Sequence, residues 1–292
     1  MRLNKHNLPD RVCQVIDGLN PPRPRPQKNI IHVTDLLLPA YAWNLYREKW
    51  DEIEEDYSDY LISVQGDALH EAYKKYLPVE DGWECEIEFE KKLNGVTIVG
   101  KCDAFNVNTG VLVDLKQTSV WNPGYKVDDY TKQTNCYAYL LQEDYIGVNI
   151  VKKKYIDVWY RNWKLADMRR GGHTYPTIPY EKMEIEVWPL EKTEQFIKDQ
   201  IHYLLMCKDK CSRKDKWQSY ACHRNNNQKP DRKFDTKVEA EEWIKNWKYT
   251  DSYLKNKPKG KITWKIVDTP PINCLHYCKA RSVCPFNKGE MK

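Results

Sequence analysis

What most limits the fold of this chain is the segment from Gly100 to Lys116: Gly100-Lys101-Cys102-Asp103, a short apolar run, an Asn108-Thr109-Gly110 turn, then Val113-Asp114-Leu115-Lys116. Thr97-Ile98-Val99 and Val111-Leu112-Val113 have strand composition and the turn offers a left-handed position, so the two runs are expected to pair as an antiparallel hairpin. Such a hairpin carries Asp103 beside Asp114. Two carboxylates a few ångströms apart repel unless a divalent cation sits between them, and Mg²⁺ or Mn²⁺ prefers carboxylate oxygen. Lys116 lies two residues beyond Asp114, hence on the same face of the strand, where it can orient a water or stabilise developing phosphoryl charge.

A chain of 292 residues with 41% hydrophobic content can bury one sizeable core and still carry a smaller module. Composition divides it into an extended Pro/Arg-containing arm over 1–30, a body over 31–205 and a tail over 206–292. The arm contains Pro21-Pro22-Arg23-Pro24-Arg25-Pro26, which excludes helix and inner strand there. The net charge of +5 is unevenly spread: from Met206 onward 21 Lys and Arg face 10 Asp and Glu, a surplus of +11, which leaves −6 on the rest. A basic tail on a weakly acidic body points to a polyanionic partner; a merely well-solvated lysine-rich surface is the plainer reading. No run of about 18 apolar residues is present to span a membrane, and Met-Arg-Leu-Asn-Lys-His is not the start of a signal peptide, so a cytoplasmic location is expected.

The body reads as alternating helices and strands, a mixed α/β class. Pro39 opens an aromatic helix running toward Asp51, and a second helix from about Val64 to Leu77 carries His70. Glu84 to Glu90 alternates as a strand before the hairpin, and Ser119 to Tyr125 is a loop with Trp121, Pro123 and Gly124. A helix from about Val127 to Gln142 places Gln133 and Tyr137 four apart on one face. Strand character returns in Val148–Val151, Ile156–Tyr160 and Met183–Trp188, followed by an amphipathic helix from Glu191 to Met206. In the tail, Thr236-Lys237-Val238-Glu239 is a capping-box start for a helix reaching Trp247, and Lys255 to Lys261 is a basic Pro/Gly loop.

Ten cysteines in a reducing compartment are thiols or metal ligands rather than a disulfide framework. Cys274, Cys278 and Cys284 have the spacing C-x3-C-x5-C, which points to a bound metal centre; the plainer reading is small buried thiols with no metal. Zinc or an iron-sulfur cluster needs a fourth ligand, for which Cys211 and Cys222 lie in the same tail, and spacing does not separate the two metals.

A single histidine on a helix is usually a packing or surface residue, and a Gln and Tyr at helical spacing are usually core plus solvent face. Here they stand in one order: helix His70, Gly-x-x-Asp at 100–103, Asp-x-Lys at 114–116, Gln-x-x-x-Tyr at 133–137. With that order the chain resembles the RecB-like branch of the PD-(D/E)XK nucleases, which includes CRISPR adaptation nucleases, recombination subunits and phage exonucleases. The resemblance covers most of residues 30–292 and implies a restriction-endonuclease-like central sheet flanked by helices. It implies that His70, Asp103, Asp114 and the Leu115 carbonyl hold one or two Mg²⁺ or Mn²⁺ ions. It gives Asp103, Asp114 and Lys116 catalytic roles, and Gln133 and Tyr137 a place facing the active site and the DNA. The proline of the family signature is absent, Cys102 preceding Asp103.

Many relatives hold a [4Fe-4S] cluster on four cysteines. The fourth cysteine that some place ahead of the core is missing, Leu38-Pro39 standing there. The tail is more similar to a phage subgroup: Cys211, Lys216-Trp217, Phe234-Asp235-Thr236, then Cys274, Cys278 and Cys284. The resemblance therefore makes Cys211 the fourth ligand, with Cys222, Cys207 and Cys13 in reserve and zinc as the alternative metal. It implies DNA, single-stranded or with a free end, as substrate, with Trp121 or Tyr125 stacking on bases, and recombination or replication proteins as partners. The implied activity is a metal-dependent deoxyribonuclease, an exonuclease acting in DNA recombination, repair or phage DNA metabolism. Competing readings are a non-catalytic DNA-binding subunit or scaffold with this fold, and a zinc-bearing RNA-binding protein, which leaves the hairpin carboxylates without a role. No Gly-rich loop ending in Lys-Ser/Thr is present, so no ATP-driven motor is expected.

Overall fold

The computed structural model describes all residues except 1, 23, 122, 145–149, 171–174, 208, 213–214, 217, 226, 248–261 and 288–292, and describes only the backbone of 123–125 and 143–144. It divides into two compact units: residues 1–38 with 54–207, and residues 39–53 with 208–292.

The first unit is built on a six-stranded mixed sheet. Its elements in chain order are α1 (Asp10–Leu19), β1 (Ile30–His32), α3 (Ser63–Tyr76), β2 (Trp83–Leu93), β3 (Val96–Asn106), β4 (Val111–Thr118), α4 (Pro123–Asp144), β5 (Lys153–Tyr160), α5 (Leu165–Arg170), β6 (Tyr180–Ile185) and α6 (Leu190–Met206); α2 (Ala40–Glu48) falls in the second unit. The fold is mixed α/β, a central mixed sheet flanked by helices. β2 runs antiparallel along nearly all of β3 on one edge. The other edge of β3 is divided: Thr97–Val99 pair in parallel with Ile30–His32, and Ala104–Asn106 pair antiparallel with Val111–Val113. Between these stretches, Gly100–Asp103 have no strand partner on that edge among the described residues.

The hairpin is therefore shorter than its sequence suggests. Thr97-Ile98-Val99 pair with β1 and β2, not with β4. The pairing stops at Ala104↔Val113 although β4 runs on to Thr118, so β3 and β4 part from each other beyond that pair. β4 instead continues in register with β5, in parallel, from Val111↔Lys153 to Thr118↔Tyr160, and β6 closes the sheet antiparallel to β5. Gly110, at φ 68°, takes the left-handed turn position, and a Cβ there would fall 2.3 Å from the Ile150 carbonyl oxygen.

On one face, Ala104, Val113 and Leu115 pack with Tyr73 of α3 and with Leu77 just past its end. On the other, Ile156, Val158, Tyr160 and Ile185 gather around Tyr130 of α4. Each fully buried Leu or Ile in these layers contributes about 1.5–3 kcal/mol relative to an exposed one. Gly100 allows the close seating of α4: a Cβ there would lie 2.8 Å from a Leu140 methyl and 3.1 Å from the Tyr137 ring.

The expected extended arm contains helix α1, which buries Ile16 and stops at Asn20, where Pro21-Pro22 deny further helical hydrogen bonds. The Ser119–Tyr125 loop is cut short by α4, which begins at Pro123 because proline suits a first helical turn, having no N–H to leave unpaired.

The second unit holds α2, a three-stranded antiparallel sheet of β7 (Tyr220–Arg224), β8 (Arg232–Phe234) and β9 (Trp264–Asp268) in the order β8-β7-β9, and α7 (Lys237–Asn246). The Thr236 hydroxyl accepts from the Glu239 N–H and the Glu239 carboxylate accepts from the Thr236 N–H, the reciprocal cap the sequence predicts. A π-helical turn at Asn273–Tyr277 carries Cys274. Of the predicted features, the strand at Val148–Val151 lies partly outside the described residues, as does most of the helix end and basic loop over 247–261.

Candidate metal centre

The side chains of the site come from several elements of the first unit: His70 from α3, Asp103 from β3, Asp114 and Lys116 from β4, Gln133 and Tyr137 from α4. Asp103 sits where β3 has left β1 and not yet reached β4. With no strand partner on that edge, its Oδ2 accepts the Leu115 N–H at 2.6 Å, in a fully buried bond. That bond fixes the carboxylate against the backbone of β4 and leaves Oδ1 facing His70 of α3, whose Nδ1 is 3.2 Å away. Asp114, 1% exposed, pairs with the Lys116 ammonium at 2.6 Å, which the two-residue strand repeat makes possible. Lys116 also lies 5.9 Å from the centre of the Tyr130 ring.

Gln133 and Tyr137 are both buried on α4, and Gln133 Nε2 donates to the Tyr137 hydroxyl at 2.8 Å. Burial, then the Asp114 charge, raises the Tyr137 phenol, so that residue is a neutral donor beside the carboxylates. The geometry therefore gathers His70, Asp103, Asp114, Lys116, Gln133 and Tyr137 into one neighbourhood.

A residue that sequence reasoning missed also stands there. Glu86 of β2 approaches the same His70 Nδ1 at 3.5 Å, and its other oxygen binds the Lys101 ammonium. Among the described residues, His70, Glu86 and Asp103 are the one set of three metal-ligating side chains whose ligand atoms all lie within 4.8 Å of one another. Nothing in the alternation of Glu84, Glu86, Glu88 and Glu90 marks Glu86; only its position opposite Asp103 does.

The electrostatics follow from crowding acids in a half-buried site. Hydrogen bonding to Asp103, then to Glu86, raises the His70 imidazole to about 10. The same contact with His70, aided by Lys101, lowers Glu86 to about 2. Burial pushes the Asp114 carboxyl above the ordinary carboxylate range, against the pull of Lys116. Burial works against the Lys116 charge, but Asp114 and Asp103 outweigh it and Lys116 is held as an ammonium. Three carboxylates thus face three basic side chains, an arrangement in which a divalent cation can take over the neutralising role of protons.

Trp121 is 63% exposed and meets Tyr175 edge-on at 5.9 Å between ring centres, so it is a surface residue and not a core anchor. The Tyr125 side chain and Trp217 lie outside the described residues.

In the second unit, Cys211, Cys274, Cys278 and Cys284 line one cavity, together with Tyr41, Leu45 and Phe286. Burial, then Asp215 and the three other sulfurs, pushes the Cys211 thiol up to about 12, so four thiolates can share this space only around a cation. No three of these sulfurs lie within 4.8 Å of one another. Four cysteines lining one cavity suit a thiolate-held metal group, zinc or iron-sulfur. Cys222 is buried on β7 with its Sγ 3.9 Å from the Ala240 carbonyl, and neither it nor Cys207 or Cys13 lines the cavity.

The fold and site together define a mixed α/β protein whose sheet presents a histidine–carboxylate–lysine cluster. No known protein family matches the sequence, and no curated protein does. Among solved structures, one described as SSO0001 is similar with a TM-score of 0.46 and 18% identity, over 68% of this chain and 86% of that one. A phage-related exonuclease from Haemophilus somnus 129PT is similar with a TM-score of 0.31 and 17% identity, over 48% of this chain and 66% of that one. Among the described residues no helix is long and apolar enough to cross a membrane.

Proposed function

We propose that this chain is a metal-dependent deoxyribonuclease, an exonuclease hydrolysing phosphodiester bonds at DNA ends. The observation that carries the reading is the joint placement of Asp103, locked on the Leu115 N–H, with Asp114 paired to Lys116 and His70 on the far side of Asp103. Acids and a histidine in this arrangement suit Mg²⁺ or Mn²⁺. His70, Asp103, Asp114 and the Leu115 carbonyl would hold one or two ions. When bound, the metal supplies a Lewis acid that lowers the pKa of water and neutralises charge on the scissile phosphate.

The residues do the rest. Lys116, held as an ammonium by Asp114, orients the attacking water and stabilises negative charge growing on the phosphoryl oxygens; its raised pKa suits this work better than general-base chemistry. Tyr137, kept neutral and anchored by Gln133, offers a donor to a phosphate oxygen. Exposed Trp121 can stack on a base, and the lysine-rich tail neutralises the strand backbone.

Cys211, Cys274, Cys278 and Cys284 would hold a [4Fe-4S] cluster that ties the tail together structurally. Protein prepared without oxygen should be brown, absorb near 400 nm and lose both properties in Cys211→Ser; a colourless, zinc-loaded protein overturns this assignment.

The decisive assay incubates end-labelled single- and double-stranded DNA with the full chain and Mn²⁺. Cleavage by the wild type and its loss in Asp114→Asn, with DNA binding retained, supports the reading. Equal metal-dependent cleavage by Asp114→Asn overturns it, and binding without cleavage by the wild type makes the chain a non-catalytic DNA-binding subunit instead.

A further inference from the structure

We infer that Glu86 is itself a ligand of the divalent cation, completing with His70 and Asp103 a face of one imidazole nitrogen and two carboxylate oxygens. The inference deepens the metal-dependent reading above and rests on it.

Three observations converge on Glu86, the last two being aspects of one backbone distortion. The first is the division of oxygens. Asp103 commits Oδ2 to the Leu115 N–H and presents Oδ1 to His70 Nδ1. Glu86 commits Oε2 to the Lys101 ammonium and presents Oε1 to the same nitrogen. Each acid therefore has one oxygen anchored and one turned toward the imidazole, and each of the three residues offers a ligand atom within 4.8 Å of the others. Carboxylate oxygens are the donors that Mn²⁺ and Mg²⁺ prefer.

The second is the backbone. Glu86 has φ 56° in the middle of a strand. The other described non-glycine residues with positive φ are Asn7, Asn94 and Asn225, all of the type that tolerates this region best. A glutamate held there is strained, and such strain persists only where the surroundings over-determine it.

The third is the ladder. β2 and β3 keep one register from Trp83↔Asn106 to Leu93↔Val96, with Cys85 on Ala104 and Ile87 on Cys102. The pair between them, Glu86 and Asp103, is missing from the pairing. The sheet thus gives up regular pairing at the position where the two inward carboxylates meet.

A purely structural Glu86, present only to hold Lys101, makes a different prediction from a ligand, and the two are separable without any turnover. Binding of Mn²⁺ to the full chain is measured by calorimetry and by loss of the six-line spectrum of free Mn²⁺, with no DNA present. The wild type should bind, Glu86→Gln should bind about 10-fold to 100-fold more weakly, and Lys101→Met should bind as the wild type does or more tightly. Glu86→Asp, which keeps the charge on a shorter arm, should recover part of the affinity; thermal melting of each variant confirms folding. Wild-type affinity in Glu86→Gln, alongside loss of binding in Asp103→Asn, overturns the role of Glu86 and leaves the metal-dependent reading intact. Equal weakening by Glu86→Gln and Lys101→Met also overturns it, leaving Glu86 a structural partner of Lys101. If the wild type binds no Mn²⁺, the broader reading falls with it.

Discussion

The Asp103 carboxylate accepts the Leu115 backbone N–H at 2.6 Å, so a side chain of β3 stands in for the strand-to-strand hydrogen bond that β3 does not make there. One acid thus completes the sheet and faces the metal centre at once, and the two roles respond differently to substitution. Asp103→Ala leaves a buried N–H unpaired and should cost about 1–3 kcal/mol of stability. Asp103→Asn keeps an oxygen acceptor for that N–H but gives up the ion pair with His70, so it should lose less stability than the alanine variant while losing cleavage as fully. Urea denaturation beside the DNA assay checks the split; equal stability of the two variants would refute it.

Gly100 sits where α4 is pressed against β3. Gly100→Ala places a methyl 2.8 Å from Leu140 and 3.1 Å from both Tyr137 and Val33, and the expected loss is about 1–3 kcal/mol by overpacking. Because the displaced ring belongs to Tyr137, cleavage should fall further than the small change in folded population explains. Measuring both on one preparation tests this.

The raised pKa of His70 gives a pH dependence whose sign is fixed. A folded pKa of about 10, above the ordinary 6.5, means the ion pairs with Asp103 and Glu86 contribute fully below pH 6.5 and are lost as pH rises through 10. In metal-free buffer, the stability difference between wild type and His70→Ala should therefore shrink between pH 6.5 and 10. Mn²⁺ affinity should move oppositely and rise with pH over this range, since coordination needs the unprotonated nitrogen. A pH-independent affinity would contradict it.

Lys154 on β5 is 0% exposed, and its Nζ has no hydrogen-bond partner among the described residues. Burial lowers its pKa to about 7. The unfolded chain binds this proton up to the ordinary lysine range, so the wild type gains stability as pH rises from 7 toward 10, a slope opposite to that of His70. Lys154→Met should remove that slope and stabilise the fold at pH 6 by at least about 1 kcal/mol. Denaturation midpoints at pH 6 and 9 decide the matter.

The carboxylates, the lysine and the Gln/Tyr helix were legible in the chain because each depends on local spacing: two residues along a strand, four along a helix, a turn with glycine at its left-handed position. What escaped depends on partners distant in sequence. Ile30–His32 is too short to announce a strand, and its partner at Thr97–Val99 reads equally well as half of a longer hairpin. Glu86 is one of four alternating glutamates, and its left-handed backbone has no signature in a residue type that seldom adopts it. Residues 39–53 read as the start of the body because their apolar spacing suits any core, yet they pack in the unit that carries the four clustered cysteines.

The divided edge of β3 has a kinetic meaning. The gap at Gly100–Asp103 is bounded by a strand closed over some seventy residues of chain and by another closed over a short turn, and loops of such unequal length close at different rates. The turn-linked β4 side can form early, while the β1 side must wait for the long closure. During folding the acids would then pass through a stage with a wall on one side only, and the site would acquire its final rigidity with the arrival of three residues that carry none of its chemistry.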